Sequence, residues 1–327
     1  MNEIVIASAK RTSIGSYLGQ WLEFSAPQLA SDVIRSIIQD YPTIADQIDE
    51  CLIGCVLSAA VGQAPARQAL LDAGLPDSVP CTTINKVCGS GLKTLAMACD
   101  SIQLGYTDLI LAGGMESMSN TPYMIPGRSA RQGMRLGHKQ LLDHMYYDGL
   151  ENYSDRKLMG CFADRTADNH HISREQQDQF AEQSVLRARQ ATDENRFDNE
   201  IVAINGINKD EQVFKSDINK IPNLKPVFSQ HGSVTAANAS SISDGAAMCL
   251  LASAKKADSL GLEVLARVVG HSSHAQAPEE FTTAVPGAIS KLLKQLNWKL
   301  DDVDLFEINE AFAVVVLSAM TTLGIES

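Results

Sequence analysis

The chain has 327 residues, enough for about two domains. Hydrophobic residues make up 45% and charged residues 20%, the balance of an ordinary globular protein, and 27 basic against 39 acidic side chains leave a formal charge of -12. That acidity disfavours a nucleic-acid binder, which carries a basic surface, and seven cysteines, odd in number and irregular in spacing, form no disulfide framework and point to a reducing compartment.

The first element is a strand over residues 4 to 8, which leaves through Ala9-Lys10-Arg11-Thr12 into a Gly-containing loop. No basic n-region or apolar h-region precedes it, and the most apolar late stretch, 312 to 325, is too short and too interrupted to span a bilayer. Neither export nor membrane insertion is expected, and a cytoplasmic location is. Leu29, Val33, Ile34, Ile37 and Ile38 mark a helix, residues 48 to 57 a strand with Gly54 inside it, and residues 65 to 73 a further helix. Cys51 and Cys55 lie in the strand pattern with no His or Cys cluster nearby, so they read as core and no metal site is expected. Strand alternating with helix implies an α/β fold with a parallel-rich sheet covered on both faces.

Cys81-Thr82-Thr83-Ile84 is a short strand and residues 85 to 91 a turn; Leu92, Leu95, Ala96, Cys99 and Ile102 then recur at helical spacing until Gly105. A second buried strand, residues 108 to 112, is closed by Gly113 and Gly114. Cys88 therefore sits where a strand hands over to a helix, a position expected to favour the nucleophilic thiolate. Gly89 and Gly91 clear side chains from around the sulfur, so a carbonyl can approach and meet backbone N–H groups. The alternative is a small buried hydrophobe, the reading given to Cys99; for Cys88 the turn favours a nucleophile. The geometry alone would also suit a thiol hydrolase or a redox protein.

From Asn120 the pattern changes. Arg128, Arg131, Arg135 and Lys139 form a basic stripe read as solvated surface, with contact to an anionic ligand as the alternative, and His170 and His171 precede a capping box at Ser173 that opens a helix. Residues 121–241 read as an inserted loop domain. The stretch 234 to 247 is almost all small side chains, permitting close approach of a long thin ligand. Residues 246 to 252 form another core strand. Then come a strand at 266 to 270, a helix carrying Ala288, Ile289, Leu292 and Leu293, and a strand at 303 to 308. An offset of 255 places Ile34 on Ile289, Ile37 on Leu292 and Ile48 on Val303, the mark of a duplicated unit. Residues 1–120 and 242–264 are thus a first half, and 265–327 an incomplete second half.

The run Asn85-Lys86-Val87-Cys88-Gly89-Ser90-Gly91-Leu92-Lys93, followed by Gly113-Gly114-Met115-Glu116-Ser117-Met118-Ser119, closely resembles the thiolase family, in particular acetyl-CoA acetyltransferases. Asn309-Glu310-Ala311-Phe312 matches the family's Asn-Glu-Ala-Phe motif. The resemblance implies a duplicated, helix-covered thiolase fold and an acyltransferase that condenses two acetyl-CoA molecules or thiolyses a 3-ketoacyl-CoA. Cys88 would carry the acyl group, its N–H serving one oxyanion site. Asn309 would hold the water of the other; its plainer alternative is a helix N-cap before Glu310. Ser240, with Ala236 beside it, matches the position that touches the pantetheine arm. Met159, Phe228, Leu150, Ala311 and Phe312 match acyl- and pantetheine-tunnel positions, or are simply core, and Lys215 would meet the nucleotide phosphates. Coenzyme A is then substrate and product, with no separate cofactor, and a homodimer or homotetramer is expected.

The family's Gly-His-Pro and Cys-x-Gly motifs are absent: all seven histidines precede residue 275 and no cysteine follows Cys249. Residues 1–327 alone are therefore expected to acylate slowly if at all and not to condense. Leu158, where many short-chain acetyltransferases have histidine, and Phe281-Thr282-Thr283-Ala284, in place of Gly-Thr-Gly-Pro, leave the acyl-chain preference open. Two other readings stand beside the enzyme: a non-catalytic coenzyme A binding or oligomerisation module of the same fold, and an unrelated cysteine enzyme.

Overall fold

Strands form where apolar side chains alternate between two covered faces, and the first half of the chain supplies such runs repeatedly. The computed structural model describes residues 2–325. It places β1 (Ile4–Arg11), β2 (Gly15–Ser16), β3 (Glu50–Gly54), β4 (Cys81–Ile84), β5 (Leu109–Ser117), β6 (Tyr123–Met124), β7 (Leu142–Asp143), β8 (Ser243–Ser253) and β9 (Ala266–Val268). The main sheet runs β4-β3-β5-β8-β1-β9, with β2 also on β8, while β6 and β7 pair separately. β4, β3 and β5 are parallel, but β8 runs antiparallel to both β5 and β1, and β9 antiparallel to β1. The sheet is therefore mixed rather than parallel-rich. β8 arrives after a long excursion instead of a short helical crossover, so nothing constrains it to run parallel.

The helices are α1 (Ala26–Asp40), α2 (Pro65–Asp72), α3 (Ser90–Leu104), α4 (Gly127–Arg131), α5 (Met159–Asn169), α6 (Arg174–Asp193), α7 (Gln212–Lys215), α8 (Ala254–Leu260), α9 (Val285–Leu296) and α10 (Ala313–Leu323). They pack as two units: Met1–Gly149 with Asn195–Gln212 and Ile242–Val268, and Leu150–Glu194 with Val213–Ser241 and Val269–Ser327.

In the first unit the two-residue period sorts each strand between two cores. Leu109 and Leu111 of β5, with Val5, Ile53 and Leu250, pack on Leu29, Val33, Ile34 and Ile37 of α1 and Leu70 of α2. Ile110 and Ala112, with Leu52 and Leu251, pack on Ala98, Cys99 and Ile102 of α3. Full burial of each such Leu, Ile or Val contributes about 1.5–3 kcal/mol. Cys51 and Cys55 lie in the first core and Cys99 in the second, as small hydrophobes do. β5 does not stop at its glycines. It continues to Ser117 because β8 runs beside it, and a Cβ on Gly113 would stand 2.0 Å from the Ala247 carbonyl oxygen. α3 ends on Gly105 at φ 76, the left-handed cap that glycine adopts without penalty.

The second unit is built on helices. Ser173 Oγ accepts the Gln176 N–H at 3.3 Å and Gln176 Oε1 accepts the Ser173 N–H at 2.8 Å, the capping box that starts α6. His170 and His171, the latter at φ 53, make the turn between α5 and α6. Ala163, Ala167, Val234, Phe312, Val314 and Val315 form its core. α9 covers the expected helix, but residues 303 to 308 form no strand. A strand needs a neighbour for its N–H and C=O groups, and among the described residues of this unit no strand lies beside it. Leu305 stays 87% exposed, and Phe306 and Ile308 line a groove of about 600 Å³ with Phe180 and Met320. Among the described residues no helix is long and apolar enough to cross a membrane.

Candidate active site

The turn between β4 and α3 is locked by its own side chains. Asn85 Oδ1 accepts the Val87 N–H at 2.9 Å, Ser90 Oγ accepts the Lys86 N–H at 2.8 Å, and the same hydroxyl donates to the Val87 carbonyl at 2.6 Å. Val87 is held at φ 48, a left-handed conformation that costs a β-branched residue about 1–3 kcal/mol. The glycines bring backbone close behind this turn: a Cβ on Gly54 would stand 2.8 Å from the Gly91 nitrogen, and one on Gly114 3.3 Å from the Gly91 Cα. Thr94 Oγ1 donates to the Gly113 carbonyl at 2.9 Å, fastening α3 to β5. Cys88, one residue before the Gly89 cap, is thereby presented on the surface, exposed and unbridged.

Its thiol lies above the ordinary value. Partial desolvation is the larger cause, the negative charge of Glu116 also raises it, and its own backbone N–H acts in the opposite direction. The sequence predicted a thiolate favoured by the helix terminus. The neighbouring carboxylate, invisible in a local reading of the turn, helps reverse that direction.

In the second unit a buried polar network shapes residues 229 to 240. Asp164 on α5 accepts the N–H groups of Ser233 and Val234 at 2.8 and 2.9 Å and the Ser229 hydroxyl at 3.0 Å. Asn238 Oδ1 accepts the Thr235 N–H at 2.8 Å, and its Nδ2 donates to Asp178 Oδ1 and to the Ser233 carbonyl, both at 3.1 Å. The Asn238 carbonyl accepts the Ala313 N–H at 2.8 Å. Met159, Phe228, Ala239 and Ala311 pack with Phe312, and the Phe228 and Phe312 rings meet edge to face at 6.1 Å.

The chain matches the thiolase N-terminal domain over residues 4–255 and the thiolase C-terminal domain over residues 262–327. It belongs to the thiolase family. Acetyl-CoA acetyltransferase 1 of Arabidopsis thaliana is 44% identical over 99% of this chain and 80% of its own length. An acetyl-CoA acetyltransferase of Pseudomonas aeruginosa is 42% identical, with 99% of this chain and 84% of its own covered. A thiolase from Ascaris suum, solved in complex with coenzyme A, superposes with a TM-score of 0.94 at 36% identity, covering 99% of this chain and 85% of that one.

Within this thiolase the structure gathers Met159, Phe228, Ala311 and Phe312 into one cluster, with Ser240 tied to it through its backbone. Ser240 and Ala236 are exposed on the loop that Asn238 shapes. Leu150, half-buried, and Lys215, exposed at the end of α7, lie outside that cluster. Asn309 is exposed, and α10 is capped by Phe312, so the N-cap alternative for Asn309 is not realised. Sequence reasoning passed over Glu116, Asp164, Asp178 and Asn238. Glu116 had a visible signal, a carboxylate inside an otherwise uncharged strand; the others act through hydrogen bonds across the fold, which no local pattern reveals.

Proposed function

We propose that this thiolase is an acetyl-CoA acetyltransferase that works through an acyl thioester on Cys88. In the first half-reaction the Cys88 sulfur bonds to the acyl carbon, the bond to the coenzyme A sulfur breaks, and coenzyme A leaves with the thiol proton. In the second, a base removes an α-proton from another acetyl-CoA, and the carbanion attacks the acyl carbon to release acetoacetyl-CoA and the free thiol. Thiolysis is the reverse. Each step builds negative charge on a thioester oxygen; the Cys88 N–H and a water on Asn309 are the groups assigned to it. Ser240 and Ala236 would line the pantetheine arm, Met159, Phe228, Leu150, Ala311 and Phe312 the tunnel, and Lys215 the phosphates. Coenzyme A is substrate and product here, with no resident cofactor.

The observation that carries this reading is Cys88 exposed on a locked strand-turn-helix within a fold that superposes on a coenzyme A-bound thiolase. A homodimer or homotetramer in the cytoplasm belongs to the same proposal. The open edge of β4 and the exposure of Leu92 and Tyr106 at 75% and 80% support assembly; the unbridged cysteines suit a reducing compartment.

One observation favours the non-catalytic alternative for residues 1–327 alone. His144, in the same unit as Cys88, has its Nδ1 at 2.7 Å from Asp148 and its Nε2 accepting the Ala59 N–H at 3.3 Å, so neither nitrogen is available as a base. General-base help is typically worth about 10²- to 10⁴-fold. Acetoacetyl-CoA thiolysis separates the readings. Residues 1–327 should turn over little. Joined to a family C-terminal segment bearing the Gly-His-Pro and Cys-x-Gly motifs, they should be active, and Cys88→Ala should abolish that activity. Activity surviving Cys88→Ala would remove the acyl-enzyme; coenzyme A binding without turnover in either form would leave the binding module.

A further inference from the structure

β5 presents alternate residues to one face, so Gly114 and Glu116 point the same way, and Gly114 lies against Gly91, three residues beyond the nucleophile. From that face Glu116 reaches the chain leaving β3. Its Oε2 accepts the Val56 N–H at 2.8 Å, its Oε1 accepts the Leu57 N–H at 3.1 Å, and the Cys55 thiol donates to it at 3.8 Å. The other side of the same peptide is held by the nucleophile turn: Asn85 Nδ2 donates to the Val56 carbonyl at 3.3 Å, and the Cys55 N–H donates to the Ile84 carbonyl at 3.0 Å. Asn85 in turn accepts from Val87. One carboxylate, one dipeptide and one amide thus form a continuous brace ending one residue before Cys88.

We propose that Glu116 is a positioning residue for the nucleophile: it braces the Cys88 turn through Val56 and Asn85, and its charge opposes negative charge on the Cys88 sulfur. This rests on the reading of Cys88 as the acyl acceptor. Of the ionisable groups around it, Cys55 on the segment after β3 donates to Glu116, while Cys88 on the turn and His144 on the segment after β7, whose Nδ1 is taken by Asp148, interact with it through charge. On the β8 side its register partner is Gly245, which brings no charge. A thiolate feels the carboxylate's repulsion and a neutral acyl thioester does not, so the charge disfavours the free thiolate relative to the acylated sulfur.

The test is the pH profile of Cys88 alkylation by iodoacetamide, followed by mass spectrometry of the Cys88 peptide, in the 327-residue chain and its Glu116→Gln and Glu116→Asp variants. Glu116→Gln should move the midpoint to lower pH; a shift of half a unit would make modification about threefold faster below the midpoint. Glu116→Asp keeps the charge on a shorter arm, so its midpoint should stay near that of the parent while Val56 and Leu57 amide exchange quickens about tenfold. An unchanged or raised midpoint in Glu116→Gln overturns the charge effect. Should that variant fail to fold, Glu116→Asp decides: a midpoint falling well below the parent's removes the charge effect, and unaltered exchange at Val56 and Leu57 removes the brace. Alkylation needs no acyl transfer, so either failure is distinct from failure of the proposed reaction.

Discussion

The Ser240 N–H donates to the Ala311 carbonyl at 2.9 Å, joining the small-residue loop to the Asn-Glu-Ala-Phe segment. Ala239 and Phe312 bridge beside it, and the Ala313 N–H reaches the Asn238 carbonyl. Two motifs far apart in the chain therefore share a backbone frame. The position of Ser240 therefore depends on the backbone of Ala311 and Phe312 and on the buried Asn238.

Asn238 is 3% exposed and is the hub of that frame. Asn238→Leu would leave Asp178 and the Thr235 N–H without it, at about 1–3 kcal/mol for each buried group left unsatisfied. Urea unfolding should show this loss, and calorimetry on folded variant should show weaker coenzyme A binding. Wild-type affinity with wild-type stability would mean the loop keeps its shape without Asn238.

Gly113→Ala tests the pairing of β5 with β8. The added methyl would meet the Ala247 carbonyl oxygen and the Met248 sulfur, 2.0 and 2.6 Å away. Overpacking of this kind costs about 1–3 kcal/mol and occasionally more. Thermal melting should fall accordingly, whereas an unchanged melt would show that the two strands can separate at no cost.

The strands and helices of the first half were legible because each carries its own signal. Leu29, Val33, Ile34 and Ile37 fall on one helical face, and all four pack in the core. The strand-turn-helix that exposes Cys88 was legible from its glycines. The direction of the Cys88 ionisation was not, because it is set chiefly by burial around the turn, with Glu116 arriving from another strand. The strand expected at 303 to 308 shows the converse limit: Val303, Leu305 and Ile308 have the composition, but a ladder is a property of two segments, and none of the described residues supplies the second. The N-cap alternative for Asn309 fails for a like reason, because α10 starts only at Ala313.

Burial pushes the Glu116 carboxyl above the usual carboxylate range, against the lowering by the Val56 and Leu57 N–H groups, the Cys55 thiol and His144. A carboxyl raised in the folded state contributes stability that is fully present below its unfolded value and lost as pH rises through its folded value. The stability of the parent relative to Glu116→Gln should therefore decline as pH rises from the ordinary carboxylate range through the raised folded value. Urea melts of both proteins across that range check it. A difference that grows with pH would mean the hydrogen bonds from Val56 and Leu57 outweigh the burial.

Transfer of an acetyl group to Cys88 is the most direct measurement of all. The 327-residue chain, incubated with acetyl-CoA between about pH 7 and pH 10 and digested, should gain one acetyl group on the Cys88 peptide, faster as the thiolate fraction rises. Cys88→Ala should gain none at that peptide. An acetyl group found on another cysteine while Cys88 stays free, although iodoacetamide reaches Cys88, would contradict the acyl-enzyme.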